Sequence, residues 1–424
     1  MRCISSSKSS LTTGQWGLKE VIMIEEIEGL YSASSQAMRR SLIRELLKLT
    51  RRQGIISFAG GLPDPSTFPI DELVRISAEV LEGQGRLALQ YGPTEGDPKL
   101  REELGRWMAK DGISAGVDNI LVTSGSQQGL DLVGRIFLDP GDPIIVELPT
   151  YLGGLTAFRS YRPEILGVPL DEEGMRTDLL EQTLETLRRQ GRRPKFIYVV
   201  PDFQNPSGIT MSRGRREHLL ELAKQYRTLV VEDSPYRELR FEGEAPPPLF
   251  ALDREGRVIY LSTFSKTIAP GLRIAWVAAN EEIISRFVTA KQSMDLCSPA
   301  LTQAIAAEFC ARGYLSARIP RIIELYRHKR DVMLESLEAE MPEGVSWTRP
   351  EGGLFLWVRL PEGLDTEAML PEAIEEEGVA YVVGSGFYAD GSGKNTMRLT
   401  FCYPSPEEIR EGIRRLARLV RRHL

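Results

Sequence analysis

Ile120-Leu-Val-Thr-Ser-Gly-Ser-Gln-Gln-Gly129 is a short apolar run that ends on a Ser-Gly turn and leads into Leu130, Val133, Ile136 and Phe137 at helical spacing. It reads as a buried strand, a tight turn and a helix, in that order. The same apolar runs recur along the chain as Pro143-Ile-Ile-Val-Glu147, Phe196-Ile-Tyr-Val-Val200, Leu229-Val-Val-Glu-Asp233 and Val258-Ile-Tyr-Leu-Ser262, with helical stretches between them. Their hydrophobicity is continuous rather than alternating, which predicts strands covered by helices on both faces of a mostly parallel sheet. Such sheets bind ligands outside the C-terminal ends of their strands.

Outside this core the pattern changes. Residues 281 to about 337 read as long helices interrupted near Gly313 and Pro320. After them come predicted strands at 353–360, 379–383 and 396–401 and a final amphipathic helix from Pro406 to Leu424. This predicts a second, smaller α/β domain. On the N-terminal side, Met38, Leu42, Ile43, Leu46, Leu47 and Leu49 predict an amphipathic helix over 34–52, and the run from Ile55 ends on Gly60-Gly61-Leu-Pro63, which is turn chemistry. The expected division is therefore an extension at 1–33, a helix and hinge of the small domain at 34–62, a large domain at 63–300 and the rest of the small domain at 301–424. The first 22 residues are rich in Ser and Thr with no acid before Glu20. A transit peptide, a disordered extension and a start at Met23 all fit that composition.

Composition narrows the chemistry. The 424 residues carry 53 basic and 59 acidic side chains, a net charge of −6, which argues against a polyanion partner such as nucleic acid. No apolar run approaches the roughly 18 residues of a membrane helix. Four scattered cysteines (Cys3, Cys297, Cys310, Cys402) make neither a disulfide framework nor a C-x-x-C motif, and a cytoplasmic setting is expected. The three histidines, His218, His328 and His423, fall in no motif, which argues against histidine triads and zinc hydrolysis. Arg415, Arg418, Arg421 and Arg422 read as a solvated helix face. Gly391-Ser-Gly-Lys394 lacks the earlier glycine and the Ser/Thr of a phosphate loop. Gly384-Ser-Gly-Phe-Tyr-Ala389 matches a dinucleotide pattern only formally, and reads as a loop lining a pocket.

The informative residues lie at predicted strand ends. Ser126 and Gln127 open a helix after a glycine turn, where free N–H groups and the helix dipole favour phosphate; alone, such a turn is more often a plain N-cap. Asn205 follows one strand, Asp233 ends another with Tyr236 three residues on, and Lys266 lies in Ser262-Thr-Phe-Ser-Lys-Thr-Ile-Ala-Pro-Gly-Leu-Arg273. A single lysine is ordinarily a surface charge. The combination of lysine, carboxylate, amide, phenol, arginine and phosphate-type turn is what pyridoxal phosphate requires: a Schiff-base amine, an acid for the ring nitrogen, donors for the phenolic oxygen and a phosphate cup.

Together with Ser57-Phe-Ala-Gly-Gly-Leu-Pro63, Gln90-Tyr-Gly-Pro-Thr-Glu-Gly96, Phe203-Gln-Asn-Pro-Ser-Gly208, Val231-Glu-Asp-Ser-Pro-Tyr236 and Met397-Arg-Leu-Thr400, these segments resemble the fold-type I pyridoxal-phosphate aminotransferases of class I/II, from about Ser41 to the C-terminus. The nearest resemblance is to bacterial 2-aminoadipate (LysN-like) and kynurenine aminotransferases. It implies a mostly parallel seven-stranded sheet in the large domain and a homodimer acting on amino acids and 2-oxo acids. It further implies Lys266 as the Schiff-base lysine that forms the aldimine and moves the Cα proton, and Asp233 at the pyridinium nitrogen. Asn205 and Tyr236 would bond the phenolic oxygen, and Tyr151 would stack on the ring. Ser126, Gln127, Thr263, Ser265, Arg273 and the partner subunit's Tyr91 would bind phosphate. Thr263 stands where relatives often carry serine. Arg398 matches the arginine that grips the substrate α-carboxylate, with Gly61 and Asn205 beside it.

Arg44, in Ser41-Leu-Ile-Arg-Glu-Leu-Leu47, matches the arginine that in LysN-like relatives reaches a distal carboxylate, a task suited to guanidinium. A surface arginine on the same helix is the competing reading. Leu42 replaces a threonine of those relatives and makes the pocket wall more apolar. The expected reaction is amino transfer from an aromatic, aliphatic or 2-aminoadipate donor to 2-oxoglutarate. A lyase, decarboxylase or racemase on the same scaffold is the alternative. A ligand-sensing regulator would need a DNA-binding domain that the ~40 residues ahead of the resemblance cannot supply.

Overall fold

The computed structural model describes residues 27–37 and 54–424. The predicted helix over 34–52 is described only in its first turn, Ala33–Ala37; the rest of it, with Arg44, lies outside the described residues.

Strand β1 (Ile56–Ser57) precedes the large sheet, which is built from β2 (Ile120–Thr123), β3 (Pro143–Leu148), β4 (Glu164–Asp171), β5 (Gly174–Met175), β6 (Phe196–Val199), β7 (Leu229–Asp233), β8 (Val258–Thr263) and β9 (Ala275–Ala278). Their order across the sheet is β2-β9-β8-β7-β6-β3-β4-β5. The five predicted strands are all present, and four of them, β3, β6, β7 and β8, form the parallel centre with β4. β9 runs antiparallel to both β2 and β8. The count is eight where seven were expected, because the two-residue β5 folds back on the end of β4 as a hairpin.

Every residue of β2, β6, β8 and β9 is buried, as the continuous apolar runs require. On one face, Leu121, Leu130, Val133, Phe158, Tyr198 and Phe287 share a core with the small unit; on the other, Ile76, Leu100, Trp276 and Phe309 form a second core and Leu180, Leu219 and Val230 a third. The direction of β2, β6, β7 and β8 brings Ser124, Asn205, Asp233 and Lys266 to one edge of the sheet.

The second unit is the antiparallel sheet of β10 (Ser346–Trp347), β11 (Phe355–Arg359), β13 (Val382–Val383) and β14 (Thr396–Thr400), in the order β10-β11-β14-β13. The run 379–383, read as one strand, is split. β12 (Val379–Ala380) pairs in parallel with β1, whereas β13 joins β14, so the N-terminal segment is stitched into the C-terminal unit. Pro320 does not interrupt the helix Tyr314–Glu340, which begins only after Gly313 in the left-handed region. The proline stands in the second turn, where the missing N–H removes one bond and the rest of a long, buried face carries the helix on. The last helix, Pro406–His423, starts with a Ser405/Glu408 capping box and buries Ile409, Ile413, Leu416 and Val420. Its arginines pair with acids: Arg415 with Glu411, Arg418 with Glu377 and Arg422 with Glu372. No helix among the described residues is long and apolar enough to cross a membrane.

Candidate active site

β8 ends at Thr263 and the chain turns sharply, with Ser265 N–H donating to Thr263 Oγ1 at 3.1 Å and Ile268 N–H to Phe264 O at 2.8 Å. This turn aims Lys266 across the sheet edge, where Nζ donates to Gly61 O at 2.8 Å. Desolvation, reinforced by the positive charges of Arg398 and Arg273, pushes the Lys266 amine down to about 8. The neutral amine, the form that can take a proton, is therefore far more populated near physiological pH than for an ordinary lysine.

Asp233, the last residue of β7, is buried. Its Oδ2 accepts from the Tyr198 phenol at 2.9 Å, while Oδ1 is buried without a hydrogen-bond partner among the described residues. Burial pushes its carboxyl up to about 6, the Tyr198 bond opposing that shift. A cationic donor at Oδ1 would both satisfy the orphaned oxygen and restore the charge. Next to it, Asn205 Nδ2 donates to the Tyr236 hydroxyl at 3.1 Å, and burial holds that phenol well above its ordinary range.

Gly125 (φ +90°) precedes the helix Ser126–Phe137. A Cβ on Gly125 would lie 2.0 Å from Arg273 Nη2, so the glycine is what lets the arginine lie across the turn. Arg273, itself left-handed at φ +55°, donates from Nη2 to Ser124 O and from Nη1 to Pro270 O, both at 3.3 Å. Ser126 Oγ is buried without a partner among the described residues, and Gln127 Nε2 donates to Gly153 O at 2.9 Å. Thr263 Oγ1 lies 2.9 Å from Ser265 Oγ, so the substituted hydroxyl is present at this wall. Tyr151 caps the next helix, and a Cβ on Gly153 would stand 2.5 Å from its ring. Tyr91 is 78% exposed on the single chain.

Arg398 comes from β14 of the small unit, paired with Trp357 and Val382. It is 1% exposed. Nη1 donates to Asn205 Oδ1 at 2.9 Å and Nη2 to Ala59 O at 2.8 Å, and Nε has no partner among the described residues. No carboxylate pairs with it among those residues. Burial pushes its pKa down to about 10, which leaves it charged at neutral pH. The structure thus gathers Lys266, Asp233, Asn205, Tyr236, Arg398 and Gly61 at one place, with Ser126, Thr263, Ser265 and Arg273 along one wall. Arg44 lies outside the described residues.

Several contributors escape the sequence reading. Tyr198 counted as a strand residue, yet a phenol inside an all-buried strand needs a partner, and that was the available signal. Gln204 donates to Glu147 Oε2 at 3.1 Å and to Pro149 O at 2.8 Å, fixing the loop that carries Asn205. Phe355, hidden in an apolar run, and Phe387, in the loop read as lining a pocket, lie over Arg398 at 4.1 and 5.2 Å from ring centroid to guanidinium carbon. Gly384 is packed against Thr396, where a Cβ would be 1.9 Å from Oγ1, so the pocket-lining loop owes its glycine to the close approach that sets Phe387 in place.

An amine of lowered pKa, an orphaned carboxylate oxygen, an unpaired buried guanidinium and a glycine turn with a buried free hydroxyl fit pyridoxal phosphate and an amino acid, and define a cofactor-dependent enzyme of amino-group chemistry. Residues 53–416 match the family model for aminotransferase class I and II, and the chain belongs to that family. It is a pyridoxal-phosphate-dependent aminotransferase. Among its relatives, the aromatic-amino-acid aminotransferase 1 of Thermococcus litoralis is 51% identical over 400 residues, 94% of this chain and 96% of that protein. The multiple substrate aminotransferase of Thermococcus profundus superposes with a TM-score of 0.90 at 53% identity, over 93% of this chain and 98% of that one. LysN, an alpha-aminoadipate aminotransferase from Thermus thermophilus solved with N-(5'-phosphopyridoxyl)-L-leucine, gives 0.86 at 42% identity over 93% and 98%.

Proposed function

We propose that this aminotransferase moves the amino group of aromatic, aliphatic and 2-aminoadipate-type L-amino acids to 2-oxoglutarate, and that Lys266, Asp233 and Arg398 perform the three decisive tasks. The observation that carries the reading is their convergence from β7, the turn after β8, and β14 on one strand-end edge. When bound, pyridoxal phosphate supplies an electrophilic carbonyl and a ring that accepts an electron pair from the substrate Cα. Lys266 Nζ, freed from Gly61 O, takes and returns the Cα proton. Asp233, through the unpartnered Oδ1, would hold the proton on the ring nitrogen. Asn205 and Tyr236 would bond the phenolic oxygen and Tyr151 would cover the ring, while Ser126, Gln127, Thr263, Ser265 and Arg273 would hold the phosphate. Arg398, with Gly61 and Asn205, grips the α-carboxylate and so directs which Cα bond is set to break, favouring C–H over C–C.

A homodimer in the cytoplasm completes the reading. Ile70, Val74 and Leu81 are exposed on one side of the helix Ile70–Ala88, followed by exposed Leu87, Leu89 and Tyr91, an apolar stretch suited to a second copy. It would bring the partner's Tyr91 to the phosphate. Arg44 would select the distal carboxylate of glutamate and 2-oxoglutarate; Arg44→Gln should raise their KM far more than that of an aromatic donor.

The test is the absorption spectrum of the holoenzyme with L-glutamate, an aromatic and an aliphatic amino acid added separately. Conversion of the cofactor band to that of the amino form, reversed by 2-oxoglutarate, is the expected result, with the order of donors read from the rates. Lys266→Ala should cut the rate by at least about 10³-fold. Decarboxylated or racemised product in place of a 2-oxo acid would overturn the assignment.

A further inference from the structure

We infer that Phe355 and Phe387 are positioning residues for carboxylate recognition: two aromatic faces, in place of a protein carboxylate, hold the Arg398 guanidinium with only its edge open. The inference rests on the reading of Arg398 given above and adds to it what fixes the guanidinium and keeps its charge available.

The geometry is specific. Phe355 of β11 lies 4.1 Å and Phe387 5.2 Å from the guanidinium carbon. Both rings are themselves braced. Phe355 meets Tyr236 edge-on at 5.8 Å and 88°, and a Cβ on Gly61 would come within 3.0 Å of its Cζ. Phe387 meets Trp357 edge-on at 5.6 Å and 90°, and its carbonyl accepts from Thr150 N–H at 2.9 Å. Neither ring can swing away without moving a neighbour.

A guanidinium presents five N–H bonds around its edge and two faces that donate nothing. At the edge of Arg398, Asn205 Oδ1 and Ala59 O take one bond from each terminal nitrogen, and Nε has no partner among the described residues. The remaining donors lie in one plane, which suits a planar carboxylate. Burying such a cation without an anion is costly, and the electron-rich ring faces offset part of that cost without neutralising the charge. A protein acid in their place would stabilise the arginine and then compete with each incoming substrate. The rings also block rotation of the guanidinium about Cδ–Nε, so the plane in which a carboxylate binds is set before it arrives. Through Tyr236, Phe355 also ties this plane to the phenol beside Asn205.

The test uses the cofactor-loaded enzyme and a ligand with a carboxylate but no amino group, 3-phenylpropionate, with its neutral amide as the control. Dissociation constants are measured by calorimetry, beside cofactor content, KM and kcat. Phe355→Leu should weaken the carboxylate about tenfold and leave the amide within about twofold. Replacing Phe355 by 3,5-difluorophenylalanine, which keeps the ring's shape but drains its face of electron density, should weaken the carboxylate about threefold and raise KM more than it lowers kcat. If Phe355→Leu fails to fold or to retain cofactor, Phe387→Leu, whose ring meets Trp357 edge-on, carries the same expectation. The proposal is overturned if the fluorinated ring leaves the carboxylate constant unchanged, or if carboxylate and amide weaken equally, since either result makes the rings mere pocket wall. Arg398→Gln separates the layers: if it leaves 3-phenylpropionate binding intact, the Arg398 reading itself fails, and the role of the rings with it.

Discussion

Arg273 and Arg398 flank the same site in opposite settings. Arg273 is exposed, bonded to two backbone carbonyls and seated over a glycine turn that it shares with a helix N-terminus. Arg398 is almost fully buried, has no acid beside it among the described residues and lies over two aromatic rings. The difference follows from what each is proposed to hold. A phosphate that stays bound can be held by many modest donors in a wet setting, because no single one has to be released. A substrate carboxylate must arrive and leave in every cycle, and a buried cation kept unneutralised binds it strongly and in a fixed plane.

The sharpest way to break this contrast is to remove each charge in turn. Arg398→Gln should lower kcat/KM for amino donors by about 10² to 10³, the cost of truncating one partner of a buried charge pair, with the cofactor retained at wild-type stoichiometry. Arg273→Gln should do the reverse. Cofactor affinity falls about tenfold or somewhat more, the value of one charge-assisted hydrogen bond, while KM measured with saturating cofactor stays within about threefold. Titration of the apoenzyme with pyridoxal phosphate and steady-state kinetics distinguish the two. If Arg273→Gln damages KM as much as Arg398→Gln does, the two sites are not separate in function.

The same contrast explains what could be read from the chain alone. The turn at 124–129 is one contiguous strand-turn-helix segment, and Lys266, Thr263 and Arg273 fall within twelve residues, so local pattern suffices for them. The setting of Arg398 is assembled from Ala59, Asn205, Phe355 and Phe387, residues brought together by the pairing of β1 with β12 and of β11 with β14. Nothing local distinguishes Phe355 from a core phenylalanine. The resemblance named Arg398 with Gly61 and Asn205, but not Ala59, Phe355 or Phe387. The splitting of 379–383 between two sheets is equally non-local, since a five-residue apolar run carries no mark of which strand it will meet. Pro320 misled for the converse reason: a local breaker was overridden by the tertiary packing of a long helix.

Glu147 gives the last and smallest test, because it is buried as Arg398 is and without a counter-ion among the described residues, yet it solves the problem differently. It ends the central part of β3, accepts at Oε2 from Val200 N–H at 3.0 Å and Gln204 Nε2 at 3.1 Å, and is pushed up to about 8 by burial, with the nearby Asp233 charge adding to the rise. An arginine cannot readily shed its proton, so it keeps its charge and needs the rings; a carboxyl takes up a proton and becomes neutral. From an ordinary value of 4.5 in the unfolded chain to about 8 in the fold, the native state holds a proton that the unfolded state has lost. Stability therefore declines as pH rises through that window and levels off above it. Glu147→Gln keeps an acceptor for both donors and removes the titration. Urea unfolding of the variant should match the wild type near pH 5 and exceed it by a few kcal/mol near pH 8, each displaced pKa unit corresponding to about 1.4 kcal/mol. Identical pH dependence in the two proteins would mean that Glu147 stays ionised in the fold, and that a buried charge here is carried by hydrogen bonds alone.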